Sequence, residues 1–336
     1  MGKKLKDYVL RISVTSNCNL NCFYCSKHRI SQSEIMSDSE LLEIITSAVN
    51  AGVKIISWTG GEPTVRKNFI DIVKKAKALG IEKQTITTNG VKLHTMINSL
   101  KKAGINRCNI SLDTLNPDKY QKITGKTRLS DVLKSIDACT KLYNNTKINC
   151  VITNDNFHEI DKFVDFCEKY KGKLTIRFLE LVPCGEAFGH DSTLFDREYV
   201  SSNKVLQQLK KFGKMEPIIN SGNVPKSKYY KIKGLKGIYG VNPNESVNYH
   251  CDREKCVKIR VSPNGYVSNC TIQLKYTRKF NGKSLKEKIK LMKEIVDEKS
   301  KRNFDNFQHK QKYYDFWRFG IMSDEVKKIL KNNKNG

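Results

Sequence analysis

Between residues 8 and 181 the chain alternates short apolar runs with helical patterns, and this alternation limits the folds open to it. YVLRISV (8–14) alternates apolar and polar residues. KIISW (54–58), QTITT (84–88), RCNISL (107–112), KINCVI (147–152) and LTIRFLEL (174–181) follow as further strand candidates. Between them the apolar period changes to about 3.6 residues. SDSELLEIITSAVNAG sets Ser37 and Glu40 at capping-box spacing, puts Leu41, Ile44, Ile45, Ala48 and Val49 on one face, and closes at Gly52. NFIDIVKKAKALG, TMINSLKKAG, SDVLKSIDACTKLY and EIDKFVDFCEKY read as helices in the same way. Strand–helix repetition builds a parallel sheet with helices outside it. Six such strands predict a partial (β/α) barrel or a doubly wound sheet. In both, ligands sit at the carboxyl ends of the strands, so the loops after the strands are the places to look for function.

Beyond residue 185 the pattern changes. SKYYKIKGLKGIYGVN reads as paired strands with glycine turns, and KIRVSPNGYVSNC as a hairpin turning at Pro-Asn-Gly. KSLKEKIKLMKEIVDEKSK reads as a long charged helix. No repeat and no Pro-, Gly- or Ser-rich linker separates the halves. The expected organisation is a barrel core over 1–185 and a C-terminal region over 186–336 packed on it. The 336 residues, 38% of them hydrophobic, suffice for that.

The formal charge of +27 raises a nucleic-acid surface as one reading. The lysines argue against it. They are spread through KKLK, VKKAKALG, KSLKEKIKLMKE and VKKILKNNKNG and do not interleave with aromatics on one element. Solvated helix faces explain them better. No run approaches the ~18–20 apolar residues of a membrane span. MGKKLKDYVLRI lacks the apolar core of a signal peptide, so the expected location is cytoplasmic.

Eleven cysteines without an export signal are expected to be free thiols. Cys108, Cys139, Cys150, Cys167 and Cys184 stand alone, mostly in apolar-periodic segments, and read as small buried hydrophobes. The others form two clumps. CNLNCFYC carries Cys18, Cys22 and Cys25 directly after the first strand. A structural zinc would need a fourth ligand, for which His28 is the candidate. An iron–sulfur cluster on three thiolates would keep one iron without a protein ligand, open to a small molecule. Cys251, Cys256 and Cys270 pose the same choice, with His250 as the fourth zinc ligand. TGGEP (59–63), after the second strand, brings glycines that permit close approach to the main chain.

The triplet, with Tyr24 before its last cysteine, resembles the signature of the radical S-adenosylmethionine (radical SAM) superfamily. LRISVTSNCNLNCFYC, TGGEPTVRK, ITTNG, ISLDTLNPDKYQKITG, KINCVI and IRFLELVPCG, in that order, resemble the MoaA family, the GTP 3′,8-cyclases of molybdenum-cofactor biosynthesis. The likeness resumes at YYKIKGLKGIYGVN and the second cysteine clump. It implies a partial (β/α)6 TIM-like barrel with a C-terminal auxiliary-cluster region, two [4Fe–4S] clusters and S-adenosylmethionine. The clusters would be held by Cys18, Cys22 and Cys25, and by Cys251, Cys256 and Cys270. It implies SAM contacts at Tyr24, Gly61, Ser111 and Val182, and contacts to an anionic nucleotide, GTP, at Arg11, Thr87, Lys147, Lys258 and Arg260. A low-potential electron donor is implied as partner, neither membrane nor nucleic acid is expected, and a homodimer is left open.

Departures from the family pattern bear on the substrate. Val182 stands where the family commonly has Met, Lys258 replaces an arginine and loses its bidentate fork, and Ser57 stands where the family has an arginine. Four residues separate Cys251 from Cys256, against two in the family, and the sequence ends KNNKNG without the family's Gly-Gly. The alternative is a MoaA-like paralogue acting on another nucleotide or on a peptide.

Overall fold

The structure is a computed structural model that describes residues 8–25, 30–181, 193–218, 228–242, 257–269 and 277–300. Six strands, β1 (Val9–Ser13), β2 (Ile55–Thr59), β3 (Lys83–Thr88), β4 (Ile105–Ser111), β5 (Thr146–Ile152) and β6 (Leu174–Glu180), pair in parallel in chain order. Helices α1 (Asp38–Asn50), α2 (Phe69–Ala78), α3 (Leu93–Ala103), α4 (Pro117–Thr124), α5 (Leu129–Leu142) and α6 (Ile160–Glu168) connect them. Of the two architectures that the alternation left open, this is the partial (β/α)6 barrel implied by the family resemblance.

The later strands join the same sheet. They are β7 (Met215–Pro217), β8 (Lys228–Ile232), β9 (Ile238–Asn242), β10 (Lys258–Val261), β11 (Tyr266–Ser268) and β12 (Arg278–Lys279). β10 lies parallel against β1 and β9 parallel against β6. The full order is β12-β11-β10-β1-β2-β3-β4-β5-β6-β9-β8-β7, with antiparallel pairs at both ends. Two short helices, α7 (Leu194–Glu198) and α8 (Ser202–Lys210), precede β7. α9 (Leu285–Ser300) returns to pack on α1, where buried Lys288 pairs with Glu43.

The two faces of the sheet differ in chemistry, as the period-2 alternation of side chains allows. Leu10 and Ile12, Ile56 and Trp58, Ile86, Cys108 and Ile110, Ile148 and Cys150, and Ile176 and Phe178 are buried on the outer face under the helices. The solitary cysteines Cys108, Cys139, Cys150 and Cys167 are buried free thiols, as expected; Cys184 lies outside the described residues. The inner face is polar. Register places Arg260, Arg11, Ser57, Thr85 and Arg107 in one row and Thr87, Asn109 and Lys147 on the same face. A closed barrel fills such an interior with apolar layers; this one keeps a polar lumen.

Candidate active site

The cysteine loop is fastened on two sides. Gly61 N–H donates to Thr15 O (2.7 Å) and Glu62 N–H to Asn17 O (2.7 Å), so the loop after β2 lies against the approach to Cys18. A Cβ on Gly61 would fall 2.1 Å from Asn17 O, and Gly60 has φ +148° with Thr15 O 2.5 Å from where its Cβ would be. These glycines are needed for the backbone approach of the two loops. On the other side, Asn21 N–H donates to Thr124 O (2.9 Å) and Phe23 N–H to Ile123 O (3.0 Å). Both carbonyls belong to the last turn of α4, where helix carbonyls lack intrahelical partners.

α4 lies inside ISLDTLNPDKYQKITG, read above only as a motif. Its boundary signals are ordinary. Asn116 accepts from Asp118 N–H (2.9 Å) and Lys119 N–H (3.0 Å), Pro117 occupies the first turn, and Gly125 ends the helix at φ +70°. An Asn-Pro start and a Gly stop eight residues later could have been read from sequence.

Glu62 ties the mouth together. Its buried carboxylate accepts from Thr64 N–H (3.0 Å), Thr64 Oγ1 (2.6 Å), Thr88 Oγ1 (2.6 Å) and Asn89 N–H (2.6 Å). Burial raises its pKa above the usual carboxylate value, against the pull of these donors. Tyr24 hydroxyl donates to buried Asp113, which also accepts from Val151 N–H (2.8 Å). Burial pushes the Asp113 carboxyl up to about 6, against those two bonds, and pushes the Tyr24 phenol well up, with the Asp113 charge adding to it. Arg66 spans the base of the mouth, donating to Val14 O (2.6 Å), Met36 O (2.9 Å) and Asp38 Oδ1 (2.6 Å).

Cys18, Cys22 and Cys25 are half-buried free thiols that line one cavity with Tyr24, Gly61, Thr87 and Ser111. Two N–H groups point at Cys18 Sγ: Leu20 N–H at 3.4 Å and Asn89 Nδ2 at 3.7 Å. Donors aimed at sulfur suit a thiolate ligand. Among the described residues, no three His, Cys, Asp or Glu side chains converge on a single ion position. A four-iron cluster asks something else, since each thiolate takes a different iron. The three residues fit such a cluster with one iron left open. His28, His250, Val182, Cys251, Cys256 and Cys270 lie outside the described residues.

Below the mouth, the sheet's inner face carries Arg11, Thr87, Lys147, Lys258 and Arg260 together, with Lys258 level with Val9 and Arg260 level with Arg11. Ser57 pairs with Arg11 in register, so a hydroxyl sits beside that cation. The lumen also holds two cations that the motif reading missed, Arg107 and Arg177. Arg177 donates twice to Asn149 Oδ1 (3.0 and 2.7 Å). Lys147 donates to Tyr229 Oη (3.1 Å) and sits 4.5 Å from the ring centre. Arg107 Nε is buried without a hydrogen-bond partner. Burial lowers the pKa of both Arg107 and Lys147; the Arg177 charge lowers it further in each, and the Arg107 charge does so for Lys147. Among the described residues no carboxylate pairs with Arg107, Lys147 or Arg177. The signal for the two arginines was their parity. Both fall on the same strand face as Ser111 and Lys147.

A family model of the Radical SAM superfamily matches residues 12–167. Across nearly the whole chain, a GTP 3′,8-cyclase of Clostridium perfringens (strain SM101 / Type A) is 34% identical over 321 residues, covering 91% of this chain and 94% of its own. The chain belongs to the GTP 3′,8-cyclase (MoaA) family of the radical SAM superfamily. A probable GTP 3′,8-cyclase of Pyrococcus abyssi (strain GE5 / Orsay) is 31% identical over 79% of this chain and 84% of its own. Among solved structures, Streptococcus suis SuiB bound to S-adenosylmethionine superposes with a TM-score of 0.59 at 17% identity, covering 83% of this chain and 64% of that one. anSMEcpe with bound AdoMet superposes with a TM-score of 0.54 at 18% identity, over 88% of this chain and 84% of that one. These two share the fold. With superfamily membership come a [4Fe–4S] cluster and S-adenosylmethionine. Among the described residues no helix is long and apolar enough to cross a membrane.

Proposed function

We propose that the protein is a cytoplasmic GTP 3′,8-cyclase with two [4Fe–4S] clusters, acting in molybdenum-cofactor biosynthesis. The observation that carries this is the 34% identity to a named GTP 3′,8-cyclase over 91% of the chain, with the cysteine triplet at the mouth of a cation-lined lumen. In this reading residues 1–185 generate the radical and 186–336 hold the second cluster. Cys18, Cys22 and Cys25 hold the first cluster, and Cys251, Cys256 and Cys270 the second. Tyr24, Gly61, Ser111 and Val182 contact S-adenosylmethionine. Bound there, the cluster and S-adenosylmethionine supply a 5′-deoxyadenosyl radical able to take the ribose 3′ hydrogen of GTP, the chemistry that joins C3′ to C8 in (8S)-3′,8-cyclo-7,8-dihydroguanosine 5′-triphosphate.

The chain's own part is to bind, orient and exclude water. Arg11, Lys147, Lys258 and Arg260 neutralise the triphosphate, and Thr87 adds a hydroxyl contact. Desolvated phosphates are costly unless paired with such donors. Arg107 and Arg177, beside Lys147, bring further positive charge to the same face. An anion there would supply the counter-charge that no carboxylate among the described residues brings to Arg107, Lys147 and Arg177.

Ser57, beside Arg11 where the family has an arginine, favours a second reading: a paralogue acting on another nucleotide or on a peptide. One experiment separates the two. Anaerobically reconstituted protein with GTP, S-adenosylmethionine and a low-potential reductant is expected to form the cyclic nucleotide together with 5′-deoxyadenosine. 5′-Deoxyadenosine with no GTP-derived product would overturn the cyclase reading and turn the search to other substrates.

A further inference from the structure

Asn89 is the first residue after β3, and its backbone N–H and both polar atoms of its side chain are committed. Its backbone N–H donates to the buried Glu62 carboxylate (2.6 Å). Its side-chain Oδ1 accepts from Val91 N–H (3.0 Å). A backbone N–H can only donate, so this bond fixes which amide atom is oxygen and which is nitrogen. The nitrogen, Nδ2, is therefore the atom that faces the cysteine loop. It donates to Asn19 Oδ1 (2.7 Å) and to Cys18 Sγ (3.7 Å). With Leu20 N–H at 3.4 Å, Cys18 sulfur receives a backbone and a side-chain donor. Of these two, the amide of Asn89 is the donor that a change of side chain removes without altering the backbone.

We infer that Asn89 is a positioning residue that sets the electron affinity of the cluster held by Cys18, through its amide N–H on that sulfur. Reduction adds one electron to the cluster from an external low-potential donor and breaks no bond. A donor on a ligand sulfur stabilises the more negative, reduced state and so raises the reduction potential. The geometry also links this tuning to the loop after β2. The Glu62 carboxylate accepts from Asn89 N–H while Glu62 N–H donates to Asn17 O, so the loop after β2 ties Asn89 to the chain just before Cys18. The inference rests on the cluster reading of Cys18, Cys22 and Cys25.

The test uses the reconstituted holoprotein as wild type, Asn89→Leu and Asn89→Asp. Leu keeps the approximate volume without the donor; Asp keeps the shape and the Val91 acceptor but presents an oxygen to the sulfur. The readout is a viologen-mediated redox titration followed by electron paramagnetic resonance, on the signal that changes when S-adenosylmethionine is added. Iron and sulfide content are measured in parallel. Asn89→Leu is expected to lower the reduced-to-oxidised ratio at fixed potential about tenfold, equivalent to ~59 mV for one electron. Asn89→Asp is expected to lower it further, with the KM for S-adenosylmethionine unchanged in both. Variants with full iron and a wild-type potential would overturn the inference. Loss of iron in both variants would overturn it too, by making Asn89 an assembly residue. A wild-type protein with no cluster signal responsive to S-adenosylmethionine would sink the cluster reading itself, a distinguishable failure.

Discussion

The mouth of the barrel and its lumen are both polar, yet they are wired in opposite ways. At the mouth, Glu62 meets four donors, Asp113 meets Tyr24 and Val151, and Asn89 has its backbone N–H and both side-chain polar atoms in use. In the lumen, Arg107, Lys147 and Arg177 crowd one another without a carboxylate among the described residues, and Arg107 Nε is buried unpaired. A buried polar group that is satisfied within the protein stabilises the fold, whereas an uncompensated buried charge costs stability. The mouth is thus held rigid by the chain itself. Around Arg107, Lys147 and Arg177 the described residues leave positive charge without a carboxylate, which the proposed nucleotide would balance.

The largest expected effect would break this division if it failed. Replacing Cys18, Cys22 and Cys25 together by Ala should abolish 5′-deoxyadenosine formation, while equilibrium dialysis still detects nucleotide in the lumen; loss of both would mean that the two regions are not separable. Next comes the contrast in stability. Glu62→Ala should lower the urea-unfolding free energy by about 3 kcal/mol, because buried donors lose a charged acceptor. Arg107→Met should do the reverse, raising it by about 1 kcal/mol as an uncompensated charge is replaced by apolar volume, while the KM for an anionic nucleotide rises roughly tenfold. A destabilised Arg107→Met protein would contradict the picture of a lumen under electrostatic load. The smallest effect lies at Asp38, the partner of Arg66. Burial opposes the charge on Asp38, but its bonds to Arg66 and Asn68 hold its carboxyl below the usual range. Its contribution is therefore present above the unfolded carboxylate pKa of about 3.9 and fades as pH falls through the lowered folded value. Melting curves between neutral pH and acid should show Asp38→Asn losing only about 0.5 kcal/mol near neutrality, with the difference from wild type vanishing in acid.

The mouth was more legible in the sequence than the lumen. Cysteine spacing and the Gly-Gly-Glu-Pro turn are local patterns, and local patterns survive without a partner in view. What escaped was who holds them. α4, which anchors the cysteine loop at Thr124 and Ile123, hid inside a stretch read as a motif, although Asn116, Pro117 and Gly125 mark its ends. Ser37 and Glu40 were legible because a capping box is set within four residues, and the structure closes it with Glu40 N–H on Ser37 Oγ at 3.3 Å. Arg107 and Arg177 were invisible as a pair, because seventy residues separate them and only the strand register brings them to one face. The attachment of β9 and β10 to the parallel sheet was equally non-local. Their hairpins with β8 and β11 could be read from turn residues, but their parallel neighbours could not.

That attachment has a practical consequence for anyone dissecting the chain. β1 and β6 would be the raw borders of the six-strand unit, and β10 and β9 are sewn onto them. A fragment trimmed to the barrel motif would bare two rows of backbone amides and carbonyls, an invitation to edge-to-edge aggregation. Transplanting this radical generator into another protein would have to carry along both bordering strands, which lie far away in sequence.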